Sequence, residues 1–142
     1  MKYGRYGRKT YYPHIYFESK RKGRDSVFQA VKDTGSPGVR SAQEVKMLVA
    51  ALLADLADLK TRDHRGRVKR FTPGTWTGRM RVLSRLAKRY GGMRYVKALK
   101  GVYGEIAKAS PRKRREIIRE ILRKEFKLSS SKINELLRRV NR

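Results

Sequence analysis

The sequence predicts an all-α protein, a small helical bundle of the four-helix type that follows an extended basic N-terminal arm. Two observations predict the bundle: apolar residues recur at spacings of three and four in several segments, and no segment shows convincing strand alternation. A third observation predicts the arm, because residues 1–25 carry glycines and basic runs without apolar periodicity. We therefore divide the 142 residues into an arm, 1–25, and a helical bundle domain, 26–142.

The arm combines aromatic rings with positive charges. Its first 16 residues hold five of the eight tyrosines, interleaved with basic side chains. Stacking faces beside cations are typical of segments that become ordered along nucleic acid, and a solubility tail is the alternative. The arm residues that we expect to bind nucleic acid are Tyr3, Arg5, Tyr6, Arg8, Lys9, Lys20, Arg21, Lys22 and Arg24.

The bundle begins with a brief helix over 26–33, which ends at a turn over 34–38. A capping box from Ser41 to Glu44 then opens the most regular helix of the sequence. We expect its apolar stripe to form the core and to hold neighbouring copies together. We expect Glu44, Asp55 and Asp58 to pair with basic neighbours in the same or another subunit. The stripe consists of Val45, Leu48, Val49, Leu52, Leu56 and Leu59.

Residues 61–78 are predicted to form a long basic connection. Its Trp76 is the only tryptophan, and we interpret it as a core or interface anchor, with stacking on a base as the alternative. From Arg79 the period is helical up to Gly91, and a further helix is predicted from Met93 to about residue 109. Both helices place apolar residues on one side and cations on the other.

Two helices are predicted to complete the bundle. Ser110 and Pro111 provide an N-cap and a first-turn proline, and the serines at 129–131 cap the final helix. The first of these helices opens with four cations at the positive end of the helix dipole. That placement is unfavourable for a free helix and favourable if phosphates dock there; solvation of the side chains is the alternative. The four residues are Arg112, Lys113, Arg114 and Arg115.

The charge of the chain implies an extended polyanionic partner. The 38 Lys and Arg outnumber the 12 Asp and Glu, giving a net charge of +26. Residues 1–25 carry +6, residues 26–60 carry none, residues 61–100 carry +12 and residues 101–142 carry +8. If each excess charge met one phosphate, a subunit would cover at most about 13 base pairs of duplex. Further predicted nucleic-acid contacts are Arg65, Arg67, Lys69, Arg70, Arg79, Arg81, Arg85, Lys88 and Arg89.

The sequence offers little for catalysis. It has no cysteine and two histidines, and it lacks a phosphate-binding loop, a dinucleotide fingerprint, a zinc-protease motif and a nucleophile elbow. We interpret Asp63 and His64 as an ordinary loop pair, and we expect no enzyme activity, catalytic residue, metal or cofactor. The longest apolar run, 47–54, has eight residues, whereas a membrane span needs roughly 20.

The layout resembles the major capsid proteins of filamentous archaeal viruses, the rudivirus, lipothrixvirus and tristromavirus group. The likeness lies in a basic chain of this length, an N-terminal arm, MKYGRYGRKTYYPHIYF, and the helices of a four-helix-bundle core. It implies a virion coat protein whose dimers, identical or of two paralogues, wrap linear double-stranded DNA into a helical nucleocapsid and hold it in the A-form. It also implies assembly in the host cytoplasm, with membrane contact only through a possible outer envelope.

Two alternatives remain open. A helix-turn-helix regulator would use the last two helices, with Ser130, Ser131, Lys132 and Asn134 facing bases, but it leaves the charge of residues 61–100 and the tyrosines of the arm unexplained. An RNA-packing protein of the ribosomal type has a similar charge density, but we would expect it to have less of an autonomous apolar core.

Overall fold

The computed structural model describes residues 41–62 and 67–138, and within them the fold is mostly helical. The predicted helical bundle is confirmed for this part of the chain. The arm 1–25, the predicted helix 26–33, Arg65, the pair Asp63 and His64, and the end of the last predicted helix at Val140 lie outside the described residues. The elements are helix α1 (Ala42–Ala54), a 3-10 helix (Asp55–Ala57), strands β1 (Lys60–Arg62) and β2 (Val68–Arg70), and helices α2 (Pro73–Tyr90), α3 (Met93–Ala98), α4 (Val102–Ala107), α5 (Pro111–Lys124) and α6 (Ser130–Arg138).

Helix α1 is the centre of the fold. The Ser41 hydroxyl caps it by accepting a hydrogen bond from the Glu44 N–H at 3.3 Å. Helices α2, α3, α5 and α6 all contact α1, and every residue from Leu48 to Ala54 is at most 2% exposed. The alanines at 50, 51 and 54 leave space for these neighbours to approach closely.

The prediction that α1 is core is confirmed, and the prediction that it joins copies of the chain is wrong. Val45, Leu48, Val49, Leu52 and Leu56 are all buried within the chain, so this stripe is not exposed to another subunit.

The apolar stripe predicts a helix that continues to Leu59, but α1 ends at Ala54. Leu59 lies beyond the 3-10 helix with a positive φ of 53° and is only partly buried against the core. Its carbonyl accepts a hydrogen bond from the Phe71 N–H at 2.9 Å, so it closes the base of a hairpin.

That hairpin, together with the first turns of α2, corrects the prediction of a long connection over residues 61–78. Strands β1 and β2 pair antiparallel, with Lys60 opposite Arg70 and Thr61 opposite Lys69. Three-residue strands are too short to show an alternating pattern in the sequence. Helix α2 then begins at once, because the Thr72 hydroxyl accepts a hydrogen bond from the Thr75 N–H at 3.2 Å and Pro73 occupies the first turn.

A buried polar network fastens the hairpin to the helices. The Thr61 hydroxyl donates to Asp55 Oδ2 at 2.7 Å, and Arg79 Nη1 donates to the same hydroxyl. Arg79 Nη1 also lies 3.8 Å from Asp55 Oδ2, and the two side chains are 5% and 0% exposed. The network therefore joins α2, the 3-10 helix and β1 through one arginine.

Arg79 was predicted to bind nucleic acid on the outer face of its helix, and that prediction is wrong. It lies at i+3 from Trp76 and at i−4 from Leu83, both buried, and this spacing places it on the core side. Its guanidinium carbon is 5.1 Å from the centre of the Phe71 ring, so it also makes a cation–π contact.

Two glycines set the path of the chain after α2. Gly92 has a φ of 95°, and a Cβ built there would come within 3.0 Å of Val45 Cγ1, so the tight turn against α1 requires glycine. Gly101 has a φ of 77° and divides the helix predicted from Met93 to about residue 109 into α3 and α4. The predicted stop at Gly91 and Gly92 is confirmed, and the helix predicted from Met93 to about residue 109 is interrupted at Gly101.

Helices α5 and α6 follow the sequence prediction over the described residues. The Ser110 hydroxyl accepts from the Lys113 N–H at 3.2 Å, and the Ser129 hydroxyl accepts from the Lys132 N–H at 3.1 Å. Helix α5 buries Ile118 and Leu122. Helix α6 buries Ile133, Leu136 and Leu137 against the same core.

We predict that R79M lowers the free energy of unfolding by about 3 kcal/mol, because it leaves the Asp55 carboxylate buried without its cation. Denaturation by urea, followed by circular dichroism, measures the change. R81M removes an exposed arginine from the same helix and is expected to change stability by less than about 0.5 kcal/mol. Similar destabilisation of the two variants would contradict a stabilising role for the network.

Candidate nucleic-acid interface

The strongest candidate surface comes from a stretch of chain without negative charge. Residues 67–104 contain 11 Lys and Arg and no Asp or Glu. The stretch spans β2, α2, α3 and the start of α4. Arg79 is buried, and the other ten side chains are all exposed. We call these ten residues the cationic face: Arg67, Lys69, Arg70, Arg81, Arg85, Lys88, Arg89, Arg94, Lys97 and Lys100.

Helix α2 supplies a stripe of four of these cations. Arg81, Arg85, Lys88 and Arg89 are spaced at i, i+4, i+7 and i+8, so they share one side of the helix and extend over about 12 Å. The opposite side carries the buried Trp76, Leu83 and Leu86. Because the apolar side is fixed in the core, the cationic side is held facing solvent.

Helix α3 and the turn that follows it add a second set of cations beside the first. Lys97 and Lys100 line the same groove as Lys88 of α2, and Arg94 lies exposed on α3 as well. The Arg94 guanidinium carbon is 4.8 Å from the centre of the Tyr95 ring. Two helices thus place positive groups around one depression of the surface.

The hairpin places further cations at the surface. Two of them lie opposite each other on the paired strands, which is unfavourable unless an anion binds nearby. Lys60 stands directly opposite Arg70, and both side chains are exposed. Like charges at opposed positions of an antiparallel pair destabilise it. Arg67 and Lys69 are exposed on the same short strand region, so a bound phosphate chain would relieve this repulsion.

Of the four cations predicted to bind phosphate at the start of α5, two contact other parts of the same chain. Arg114 donates from Nε to the Ala57 carbonyl at 2.9 Å and from Nη1 to the Ala109 carbonyl at 2.8 Å. Arg115 Nη2 lies 2.7 Å from Asp58 Oδ1. The prediction of Arg114 as a phosphate contact is therefore wrong, because two backbone carbonyls hold its guanidinium. Arg115 also joins α5 to the end of the 3-10 helix, but its side chain is 39% exposed and its phosphate contact stays a prediction. Arg112 and Lys113 remain exposed.

The two aspartates confirm the prediction that they pair with basic neighbours, and the neighbours belong to the same chain. Asp55 lies beside Arg79, and Asp58 lies beside Arg115. Both ion pairs connect distant parts of the sequence, so these carboxylates hold separate elements of the fold together.

The outer face of α5 carries its own counter-charges. Glu116 lies 3.7 Å from Lys113, and Glu120 lies 2.6 Å from both Arg123 and Lys124. The hydrogen bond from Lys124 is the largest cause that holds the pKa of Glu120 below the ordinary value of 4.5; desolvation opposes it, and the charges of Lys124 and Arg123 add to the lowering. Pairs of this kind, spaced at i+3 and i+4, make α5 a weaker attractor of phosphate than α2.

Trp76 confirms the prediction of a core anchor. It is 9% exposed, and its ring centre lies 6.0 Å from that of Phe71 and 5.9 Å from that of Tyr103. Tilted contacts at these distances are favourable between aromatic rings. The indole is thus held in a cluster of three rings, with one edge at the groove between α2 and α3.

Among the described residues, no group of three or more His, Cys, Asp or Glu side chains is placed to hold a metal ion. In the same part of the chain, no helix is both long and apolar enough to span a bilayer. The ten exposed cations of the cationic face give this part of the surface a charge that attracts polyanions.

Comparison of the chain with protein-family models, with curated proteins and with solved structures finds no match.

We predict that K124Q raises the pKa of Glu120 towards its ordinary value, because it removes the largest cause of the lowered pKa. A carboxyl whose folded pKa is lowered stabilises the fold above its unfolded pKa, and that contribution is lost as the pH falls through the folded pKa. Titration of the Glu120 side-chain carbon by NMR measures the change. K127Q removes an equal charge beyond the end of α5, and an equal shift in that variant would contradict the assignment.

Proposed function

We propose that this protein is a virion coat protein that binds and wraps linear double-stranded DNA without base specificity. The observation that carries the proposal is the cationic face, which presents ten exposed Lys and Arg side chains from a stretch without a single acidic residue. Interactions of this kind with phosphates give affinity that does not depend on sequence.

The chemistry of the cationic face favours the phosphate backbone over the bases. Residues 67–104 contain no Asn or Gln, the side chains that pair with adenine in the major groove, so base contacts from this stretch would be mainly those of Arg or Lys to guanine. The cations are spread over a hairpin and two helices, which suits a surface laid along a duplex more than one helix inserted into a groove. Binding by charge and shape is the outcome we expect.

Assembly into dimers and a helical nucleocapsid, with identical or paralogous partners, completes the proposal and rests on the resemblance to filamentous-virus capsid proteins. Since α1 is covered by its own chain, contacts between copies would use other surfaces. A sheath dense in Lys and Arg that excludes water from the phosphates favours the A-form of DNA. The virion, and the host cytoplasm during assembly, are the places where such a protein acts.

A helix-turn-helix regulator has less support from the described residues. Asn134, which would face bases, accepts a hydrogen bond from Arg119 at 2.8 Å, and Lys132 lies 3.4 Å from Glu135. These polar side chains of α6 therefore already have partners within the chain. An RNA-packing protein stays the third candidate, because the cationic face alone does not distinguish duplex DNA from RNA.

Electron microscopy of the purified protein mixed with linear duplex DNA tests the proposal. We expect regular filaments, and we expect circular dichroism of the bound duplex to change towards the A-form. Isolated complexes at one DNA sequence would indicate a regulator and overturn the proposal. Preferential binding of competitor RNA would overturn it in favour of an RNA-packing protein.

We predict that R81Q/R89Q/R94Q weakens binding to duplex DNA and flattens its salt dependence. The slope of log K against log salt falls by about 0.9 for each phosphate that the protein no longer neutralises. Fluorescence anisotropy with a labelled duplex at several salt concentrations measures the slope.

The control R119Q/R123Q/R138Q removes three exposed arginines from α5 and α6, so the net charge of the two variants is equal. We expect it to keep most of the wild-type slope. Equal slopes in the two variants would show that total charge, and not the cationic face, sets the affinity.

A further inference from the structure

The groove between α2 and α3 has a chemistry that DNA coating does not use. Its volume is about 620 Å³, in the range of grooves that accept a ligand. The apolar floor is formed by Trp76, Met80, Met93, Val96 and Leu99. A phosphate backbone gains nothing from an apolar floor, so this surface needs a different explanation.

Two methionines form part of the apolar floor. Met80 and Met93 are only partly buried, one on each wall of the groove. Methionine side chains are flexible and polarisable, and they are over-used at surfaces that accept apolar side chains of partner helices. The floor therefore suits a row of apolar side chains.

Three lysines border the floor and are distributed along it. Lys88 lies near the turn between α2 and α3, and Lys97 follows on the opposite wall. Lys100 precedes Tyr103 by three residues, and the Tyr103 ring lies 5.9 Å from Trp76 at the other end. None of the residues that line the groove is acidic.

The length of the groove limits what fits. The residues of α2 that line it run from Trp76 to Lys88, which corresponds to about 18 Å of helix. A lipid with one charged headgroup would satisfy the lysines at one end only. A ligand with an apolar stripe and several negative charges along its length would satisfy all three.

We propose that this groove binds an amphipathic helix with acidic flanks that belongs to a partner protein. Apolar side chains spaced at three and four residues would pack on Trp76 and the two methionines, while carboxylates on either side meet the lysines. A second copy of this chain is a poor occupant, because its amphipathic helices α2, α5 and α6 each carry more cations than carboxylates and would not bring acidic flanks to the lysines.

A partner helix bound in the groove would compete with DNA for part of the cationic face. This part of the proposal rests on the proposed function. Lys88, Lys97 and Lys100 belong both to the groove and to the cationic face. A helix seated in the groove neutralises these lysines and covers the approach to them. The bound partner would therefore lower the affinity for DNA.

The first experiment measures the groove alone, without nucleic acid. The probe is an 18-residue helical peptide with leucine at every third or fourth position and glutamate at most others. Trp76 is the only tryptophan and lies at the groove, so its fluorescence reports binding directly. We expect saturable binding that weakens with added salt.

Two control peptides test the two parts of the recognition. One replaces every glutamate with lysine, and the other has the same composition in a scrambled order, so that its leucines form no helical stripe. We expect neither to bind. Equal binding of the scrambled peptide would show that charge alone acts, and it would overturn the proposal.

Matched variants locate the site. K88Q/K97Q/K100Q is expected to lower peptide affinity by about tenfold or more, whereas K108Q/K124Q/K127Q, which removes the same charge outside the groove, is expected to change it by less than about threefold, as for exposed charges far from a ligand. M80Q/M93Q is expected to reduce binding, and I117Q/I121Q, at half-buried positions of α5, is expected to leave it unchanged. Thermal unfolding by circular dichroism confirms that each variant is folded.

The second experiment adds a labelled DNA duplex. Release of duplex by the acidic peptide supports the competition. Peptide binding without any duplex binding would overturn the proposed function and leave the groove assignment intact. Duplex binding without peptide binding would overturn the groove assignment alone, and a change of Trp76 fluorescence with a short single-stranded oligonucleotide in place of the peptide would assign the groove to nucleic acid instead.

Discussion

The burial of α1 from Leu48 to Ala54 is the constraint on which the rest of the described structure depends. A chain of charge +26 resists compaction, and the apolar helix from Ala42 to Ala54 provides the opposing force. Each surrounding helix has one apolar stripe, and that stripe must contact α1. The stripe orients the helix, so its cations have to face solvent. The cationic face is thus a consequence of how the core is covered.

The placement of the carboxylates explains why one side of the molecule remains positive. Asp55 and Asp58 lie at the end of α1 and hold Arg79 and Arg115, which link α2 and α5 to the 3-10 helix. Further along the chain, glutamates of α5 such as Glu120 compensate cations of their own helix. Residues 67–104 have no acid of their own, and their single buried arginine uses Asp55. This stretch therefore keeps a net positive charge that favours an external anion.

The sequence predicts the helices well where a cap and a stripe coincide, as at Ser41 for α1 and at Ser110 for α5. Prediction from the sequence fails where contacts between distant residues determine the local structure. The hairpin depends on Thr61, whose hydroxyl is held by Asp55 and Arg79, and three-residue strands carry no periodic signal. Arg79 itself could have been found from its spacing to Trp76 and Leu83. The inward turn of Arg114 could not, because its acceptor at Ala57 is 57 residues away in the sequence.

The kinds of cation differ across the cationic face, and the difference follows from the surface beneath them. Arginine provides three of the four positions in the α2 stripe, Arg81, Arg85 and Arg89, whereas all three cations of the groove are lysines. A planar guanidinium can bind a phosphate through two donors, while a lysine has a flexible aliphatic stem that covers apolar surface and keeps its ammonium in water. Lysine stems therefore shield the apolar floor while the groove is empty, and they can move aside without leaving a buried charge. The same residues thus keep an apolar groove compatible with a highly charged surface and leave it open to a ligand that brings its own carboxylates.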